Sequence, residues 1–409
     1  MLGRLHALLA SASPASASTV ALSVALLAGC SHGGVDPEFP TGPAAPAPGP
    51  EDGSHIQNVA CSIPIEKGRM SLAEAMQKFG VPGVSAAAMV GGKVVWATGW
   101  GLADRERQIP MTPETILQAA SISKAVTSVG IMRMVQAGEL NLDEDVSDSI
   151  DWEAQWHGQH AKITLRELLS HSAGLTVHGF NGYPLSKKDK LPKTIEVLEG
   201  KGNSPRVALE SPPGTATDYS GGGFVVAQAV VEEKIDEKFS DAMYEWLIKP
   251  FGLRRSTFEQ PLSDDKIHFA AHGYSHGQPI QGGYHVYPEG AAAGLWTTPT
   301  DLLVLAAGLI RAYHGQPAPL SQGMAFAMLT PTSADGHFGI GFAIKKRGNV
   351  TEAWHNGGNK GFSSMFVWDT EGNGAAAIVN GEGPIANAVV QAIGEEYGWR
   401  HSKEHGCPK

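Results

Sequence analysis

Ser121-Ile122-Ser123-Lys124 opens an apolar stretch of helical period, so a hydroxyl and an amine three residues apart fall on one face of one turn. Serine is a poor nucleophile while it keeps its proton, and a lysine driven to its free-amine form by burial can take that proton as attack begins. The chemistry expected of the pair is an acyl-serine intermediate. The same letters recur at Ser263-Asp264-Asp265-Lys266, in an acidic context with no apolar face, and read there as solvated surface.

Other groupings carry different chemistry. Gly273-Tyr274-Ser275-His276-Gly277 fits a Gly-x-Ser-x-Gly nucleophile elbow, which needs a strand before the serine and a helix after it. Pro279, Gly282 and Gly283 forbid that helix. His268, His272 and His276 are spaced as zinc ligands on a helix would be, but Gly273 and Ser275 interrupt the helix and no carboxylate or cysteine lies at a telling spacing. No metal and no cofactor are expected. Tyr219-Ser220-Gly221 follows a Pro212-Pro213-Gly214 turn and leads into further glycines, which lets backbone approach a ligand. There a tyrosine can orient the nucleophile or protonate a leaving group, or it is a turn tyrosine packed on the core. His355-Asn356-Gly357-Gly358 lies between two strand signals, where glycines let a backbone N–H face a bound carbonyl and the histidine adds a donor or proton shuttle.

The elements that must hold these groups are legible in outline. Ile122, Val126 and Val129 recur at helical spacing and Gly138 offers a left-handed stop, so Ser121 sits at a helix N-terminus that favours a developing oxyanion. Residues 84–90 and 93–98 are β-prone runs joined by Gly91-Gly92, a hairpin signal. Strand signals return at 338–344, 362–368 and 375–380, with Glu371-Gly372-Asn373-Gly374 turning between the last two. Between these ends the chain reads as helical: Thr164 and Glu167 form a capping box, and Thr298-Pro299 starts another helix. Strands at both ends around a helical middle predict one sheet built from distant segments.

The chain has 409 residues and a net charge of −10, enough for a large core and unsuited to nucleic acid or an anionic membrane surface as partner. A small-molecule or peptide substrate is expected. Arg4, an apolar run over 20–28 and Leu27-Ala28-Gly29-Cys30 resemble a bacterial lipoprotein signal, and the run is far shorter than the roughly 20 residues that span a bilayer. On this reading residues 1–29 are a signal peptide and Cys30 carries lipid. Residues 30–58, rich in Gly and Pro, form a tether, and 59–409 form the folded body. Ser31 after the cysteine implies, by the same resemblance, the outer membrane, with the enzyme facing the periplasm of a bacterial cell envelope. The membrane is then met only through that lipid. Cys61 and Cys407 remain as an expected disulfide.

Taken in order, Ser121-x-x-Lys124, Tyr219-Ser220-Gly221 and His355-x-Gly357 resemble the three motifs of the penicillin-recognising serine hydrolases, in the class C β-lactamase-like branch. That branch includes DD-peptidases, D-aminopeptidases and carboxylesterases. Leu168-Leu169-Ser170-His171-Ser172-Ala173-Gly174-Leu175 and Gly294-Leu295-Trp296-Thr297-Thr298 are similar to recurring family phrases. The resemblance implies an α/β (α+β) fold of the β-lactamase/transpeptidase kind. An antiparallel sheet flanked by helices, from about 59–115 and 330–409, stands beside an all-helical domain over 116–329. It implies a monomeric serine hydrolase with Ser121 as nucleophile, Lys124 as proton acceptor and Tyr219 as proton relay. The N–H groups of Ser121 and Gly358 would form an oxyanion hole, Gly357 and Gly221 would line the substrate, and His355 the far wall. Two departures stand out. Gly221 occupies the place of an asparagine that would hold a substrate amide, and His355 replaces a lysine. A histidine near its usual pKa of about 6.5 is mostly neutral at neutral pH, so attraction for a substrate carboxylate weakens. The expected substrate is a small amide, D-amino-acid peptide or ester, with a carboxylesterase or a catalytically silent envelope binding protein as alternatives.

Overall fold

The computed structural model describes residues 53–399, so the expected signal, Cys30, nearly all of the tether and Cys407 lie outside the described residues. Its centre is a seven-stranded sheet. In chain order the strands are β1 (Gly83–Val90), β2 (Lys93–Asp104), β3 (Ile109–Pro110), β4 (Ala343–Arg347), β5 (Val350–Asn359), β6 (Phe362–Asp369) and β7 (Gly374–Val379). They lie in the order β4-β5-β6-β7-β1-β2-β3, antiparallel throughout, and the two ends of the chain meet where β7 pairs with β1. The expected hairpin is present. Gly91 and Gly92 both take left-handed φ, 56° and 75°, which a two-residue turn matching strand twist requires.

The helices used below are α1 (Leu72–Phe79), α2 (Ile122–Ala137), α3 (Leu165–Leu169), α4 (Gly221–Ile235), α5 (Gly290–Ala293), α6 (Pro299–Tyr313) and α7 (Ile385–Glu396). Side chains alternate across a strand. Ala87 and Met89 of β1 therefore enter one apolar cluster with Leu302 and Leu303 of α6, while Ala86 and Ala88 enter another with Val389 and Ile393 of α7. Helices on both faces explain why β1 and β7 read as unbroken apolar runs. The caps follow the sequence: Thr164 and Glu167 bond reciprocally at the start of α3, and Thr298 accepts from Asp301 N–H before Pro299.

Three expectations are corrected. The strand expected over 338–344 begins only at Ala343, because Gly341 turns left-handed, φ 82°, with its α-carbon packed on Ser128; Phe338 keeps a single bridge to Ala343. The segment around His355, read as lying between strands, is the interior of β5. Its polar residues and paired glycines carry no strand signature, and pairing with β6 decides its conformation. Cys61, at the end of the helix Ser54–Cys61, is a free, exposed thiol, so no disulfide is seen there, and its expected partner Cys407 lies outside the described residues.

Candidate active site

α2 has no distinct polar face and is buried nearly all round along most of its length. Its first two turns lie inside the protein, Lys124 included, at 1% exposure. Ser121 is the N-cap and remains half-buried, open to solvent. Local geometry then does what the spacing predicts: Lys124 Nζ donates to Ser121 Oγ at 3.0 Å. Its second bond, 2.8 Å, goes to the carbonyl of Ala292 in α5. No carboxylate among the described residues pairs with this amine.

α5 is a seat for the site. Its consecutive carbonyls accept from Thr127 (Ala291 O), Lys124 (Ala292 O) and Asn359 of β5 (Ala293 O). Asn359 also donates to Gln118 Oε1 at 2.9 Å, and Ala119 N–H donates to Leu295 O, so the approach to Ser121 is clamped from two sides. Ala120 is held left-handed, φ 51°, immediately before Ser121. A non-glycine residue persists there only where its surroundings enforce it, and Ser123 Oγ donates to its carbonyl.

β5 forms the facing wall. β4 stops pairing at Trp354, opposite Ala343, so no strand pairs with the outer edge of residues 355–359. A Cβ on Gly357 would stand 2.4 Å from Ala119 O and 2.8 Å from Ser121 N, which only glycine tolerates. A Cβ on Gly358 would meet open space. These glycines bring the edge backbone against the start of α2.

Tyr219 stands on the third side. Its ring centroid lies 5.0 Å from Lys124 Nζ, 4.3 Å from the His171 ring and 6.1 Å from the His355 ring. Ser220 caps α4 by accepting from Gly223 N–H, and its own N–H donates to His171 Nδ1 at 3.1 Å. Ser121, Lys124, Tyr219, His355 and Gly357 are therefore gathered in one place, and Gly221 follows as the first residue of α4.

The imidazoles are neutral. Burial first, then Lys124 and His355, hold His171 well below its ordinary value. Burial first, then Lys124, push His355 down to about 4, against the opposing effect of its bond to the Asn356 carbonyl. A carbonyl can only accept, so His355 Nδ1 is the donor at 2.6 Å and its buried, unpartnered Nε2 carries a lone pair. The expectation at this position is a donor or a proton shuttle; the Nδ1–H is spent on the Asn356 carbonyl, and Nε2 is left as an acceptor.

The remaining expectations land elsewhere. Lys266 is only 14% exposed rather than solvated, because Glu259 (3.0 Å) and Asp265 (3.3 Å) compensate its charge. Tyr274-Ser275 pairs with Gln278-Pro279 in a short hairpin with no helix following, as the glycines and proline require. His272 meets Asp104 and Glu106, carboxylates supplied by the distant β2 and its turn, while Arg107 bonds Asp104 and Tyr274 donates to Glu106. His276 stands apart, 89% exposed. Sequence reasoning missed three supporting residues, His171, Asn359 and the Ala292 carbonyl. His171 had a signal, its place in the 168–175 phrase, and is held left-handed, φ 58°, after α3. The carbonyl had none.

A family profile described as Beta-lactamase matches residues 71–395. The "Serine beta-lactamase-like protein LACTB, mitochondrial" of Mus musculus is 34% identical over 138 residues, 33% of this chain and 25% of that protein. "Protein flp" of Staphylococcus aureus (strain N315) is 25% identical over 231 residues, 56% of this chain and 44% of its own length. The matches thus span a quarter to under half of these relatives. Among solved structures, the octameric penicillin-binding protein homologue from Pyrococcus abyssi aligns with TM-score 0.66 at 23% identity, covering 81% of this chain and 77% of that one. EstCE1, "a hydrolase with promiscuous acyltransferase activity", aligns with TM-score 0.63 at 21% identity, covering 84% and 99%. At these identities the structural likeness establishes the fold. The antiparallel sheet flanked by helices and the match over 71–395 together place this chain in the Beta-lactamase family of serine hydrolases.

Proposed function

We propose that this protein is a serine acyl hydrolase that forms its covalent intermediate on Ser121 and acts on a small ester, amide or D-amino-acid peptide. The observation that carries this reading is the 3.0 Å bond from a buried, carboxylate-free Lys124 to Ser121 Oγ. Ser121 Oγ attacks the substrate carbonyl as its proton passes to Lys124 Nζ, and the carbonyl oxygen becomes an oxyanion. The N–H groups of Ser121 and Gly358 receive that charge at the start of α2 and the free edge of β5. When the tetrahedral intermediate collapses, the bond to the leaving oxygen or nitrogen breaks. Tyr219 relays the proton from Lys124 to the departing atom. Water then repeats the sequence on the acyl-serine, its proton returning through the same groups, and releases the acid.

Gly221, which lacks the side-chain amide of an asparagine, and a neutral His355, which offers no cation to a penicillin carboxylate, favour an esterase or peptidase over a β-lactamase. A fluorophosphonate probe followed by peptide mass mapping tests the reading. Adduct on Ser121, absent from Ser121→Ala, supports it; folded protein that takes no label and turns over no ester favours a silent binding protein. The reading places the enzyme as a monomer on a lipid at Cys30 in the bacterial envelope. Labelling with a palmitate analogue, lost in Cys30→Ser, and light scattering test those two parts.

A further inference from the structure

The side chain that Gly221 lacks is replaced in space by another residue. A Cβ built on Gly221 would stand 2.9 Å from Phe180 Cε2 and 3.3 Å from the carbonyl oxygens of Val177 and His178. The ring edge of Phe180 therefore occupies the direction in which an asparagine would project. Phe180 is half-buried and packed on the main core.

The segment that carries Phe180 is fixed to the Tyr219 loop by a chain of hydrogen bonds. Thr176 O accepts from Ser220 Oγ at 2.9 Å, Val177 O accepts from Gly222 N–H at 2.8 Å, and His178 Nδ1 donates to Tyr219 O. Val177 is left-handed, φ 67°, which turns the chain back over α4. The segment that leads to Phe180 is thus fixed to the Tyr219 loop, with the Phe180 ring edge beside Gly221. His355, whose Nδ1–H is spent on the Asn356 carbonyl and whose Nε2 is buried, offers a substrate neither an N–H nor a charge.

We propose that Phe180 determines acyl-group specificity, so that Ser121 takes neutral esters with an apolar acyl chain in preference to peptides that end in a free carboxylate. This rests on the acyl-serine reading above. An apolar chain gains by leaving water against the ring, whereas an amide-bearing acyl group would lose hydrogen bonds to water with no replacement from Gly221. A terminal carboxylate would lose its hydration with no N–H or cation from His355 in return.

The test measures kcat/KM for nitrophenyl acetate, butyrate and hexanoate and for a D-Ala-D-Ala-ended tripeptide, with fluorophosphonate labelling of Ser121 in parallel. Wild type is expected to prefer butyrate or hexanoate to acetate by about tenfold, the scale of one or two methylenes in an apolar pocket, and to use the peptide least. Phe180→Ala removes the chain-length preference by raising KM for the longer esters, while Ser121 still takes the label. Phe180→Leu keeps the preference and guards against a folding defect in the alanine variant. A peptide rate equal to or above butyrate, or an unaltered chain-length preference in Phe180→Ala, overturns the inference while leaving labelled Ser121 in place. Loss of both labelling and turnover in folded wild type overturns the acyl-serine reading itself and the inference with it.

Discussion

Two Ser-x-x-Lys sequences in this chain have the same letters and opposite surroundings. At Ser121-x-x-Lys124 the amine is buried in an apolar helix and bonds one hydroxyl and one carbonyl. At Ser263-x-x-Lys266 burial lowers the affinity of the amine for its proton, but Glu259 and Asp265 outweigh it and the net shift is upward. Ser263 Oγ is itself committed to Glu259. The partners of the first lysine are a hydroxyl and a backbone carbonyl; those of the second include two carboxylates. A nucleophile–base pair is therefore defined by what the lysine is kept away from as much as by its spacing from serine.

The largest effects should fall at the first pair. Ser121→Ala is expected to lower kcat by at least about 10⁴, and Lys124→Arg by about 10³, because a guanidinium stays protonated and cannot act as base. Steady-state ester hydrolysis, with circular dichroism to confirm folding, measures both. Wild-type turnover in Lys124→Arg would remove the distinction between the two pairs.

The next effect tests the wall opposite the buried pair. Gly357→Ala pushes a methyl toward Ala119 O and Ser121 N, and should lower kcat by about 10², the scale of a lost oxyanion donor. Its KM for a short ester should change little. An unchanged kcat would show that the edge of β5 does not approach the reacting carbonyl.

A third prediction concerns the seat of Lys124. Glu289 is the N-cap of α5, wholly buried, with both carboxyl oxygens unpartnered, and burial raises it to about 7. A carboxyl raised in the folded state binds its proton more tightly there than in the unfolded chain. Folded stability therefore falls as pH rises from 4.5, the unfolded value, through 7, by up to about 3 kcal/mol. Glu289→Gln should raise Tm at pH 8 and leave it nearly unchanged at pH 4. Equal shifts at both values would mean that the carboxyl is not titrating.

The smallest effects belong to the second pair. Ser263→Ala and Lys266→Met should leave ester turnover within about twofold and cost at most about 1 kcal/mol, the range of partly exposed ion pairs. Urea unfolding and the same hydrolysis assay check this. A hundredfold loss of turnover in Lys266→Met would mean that the carboxylates around it serve the reaction.

Much of the site was legible because the helix is a local rule. Ser121 and Lys124 share a turn of α2 whatever the rest of the chain does, the Gly91-Gly92 turn selects its own hairpin, and Thr164 and Glu167 cap α3 from within four residues. β5 was not legible, since Asn356, Gly357, Gly358 and Asn359 have no strand propensity and become a strand only by register with β6. His171 had a recognisable phrase but no visible partner, because its bond to Ser220 N–H crosses from α3 to the cap of α4. The reach of Cys61 for Cys407 was inferred from nearness to the chain ends, and count alone does not bring two sulfurs together.

By itself the sequence determined that Ser121 and Lys124 lie on one helical turn, since an i, i+3 relation depends only on backbone period. Only the tertiary structure decided that no carboxylate reaches Lys124, that both imidazoles are neutral and that Phe180 fills the place beside Gly221. Those properties are desolvation and contact between segments far apart in the chain, and both are set by packing.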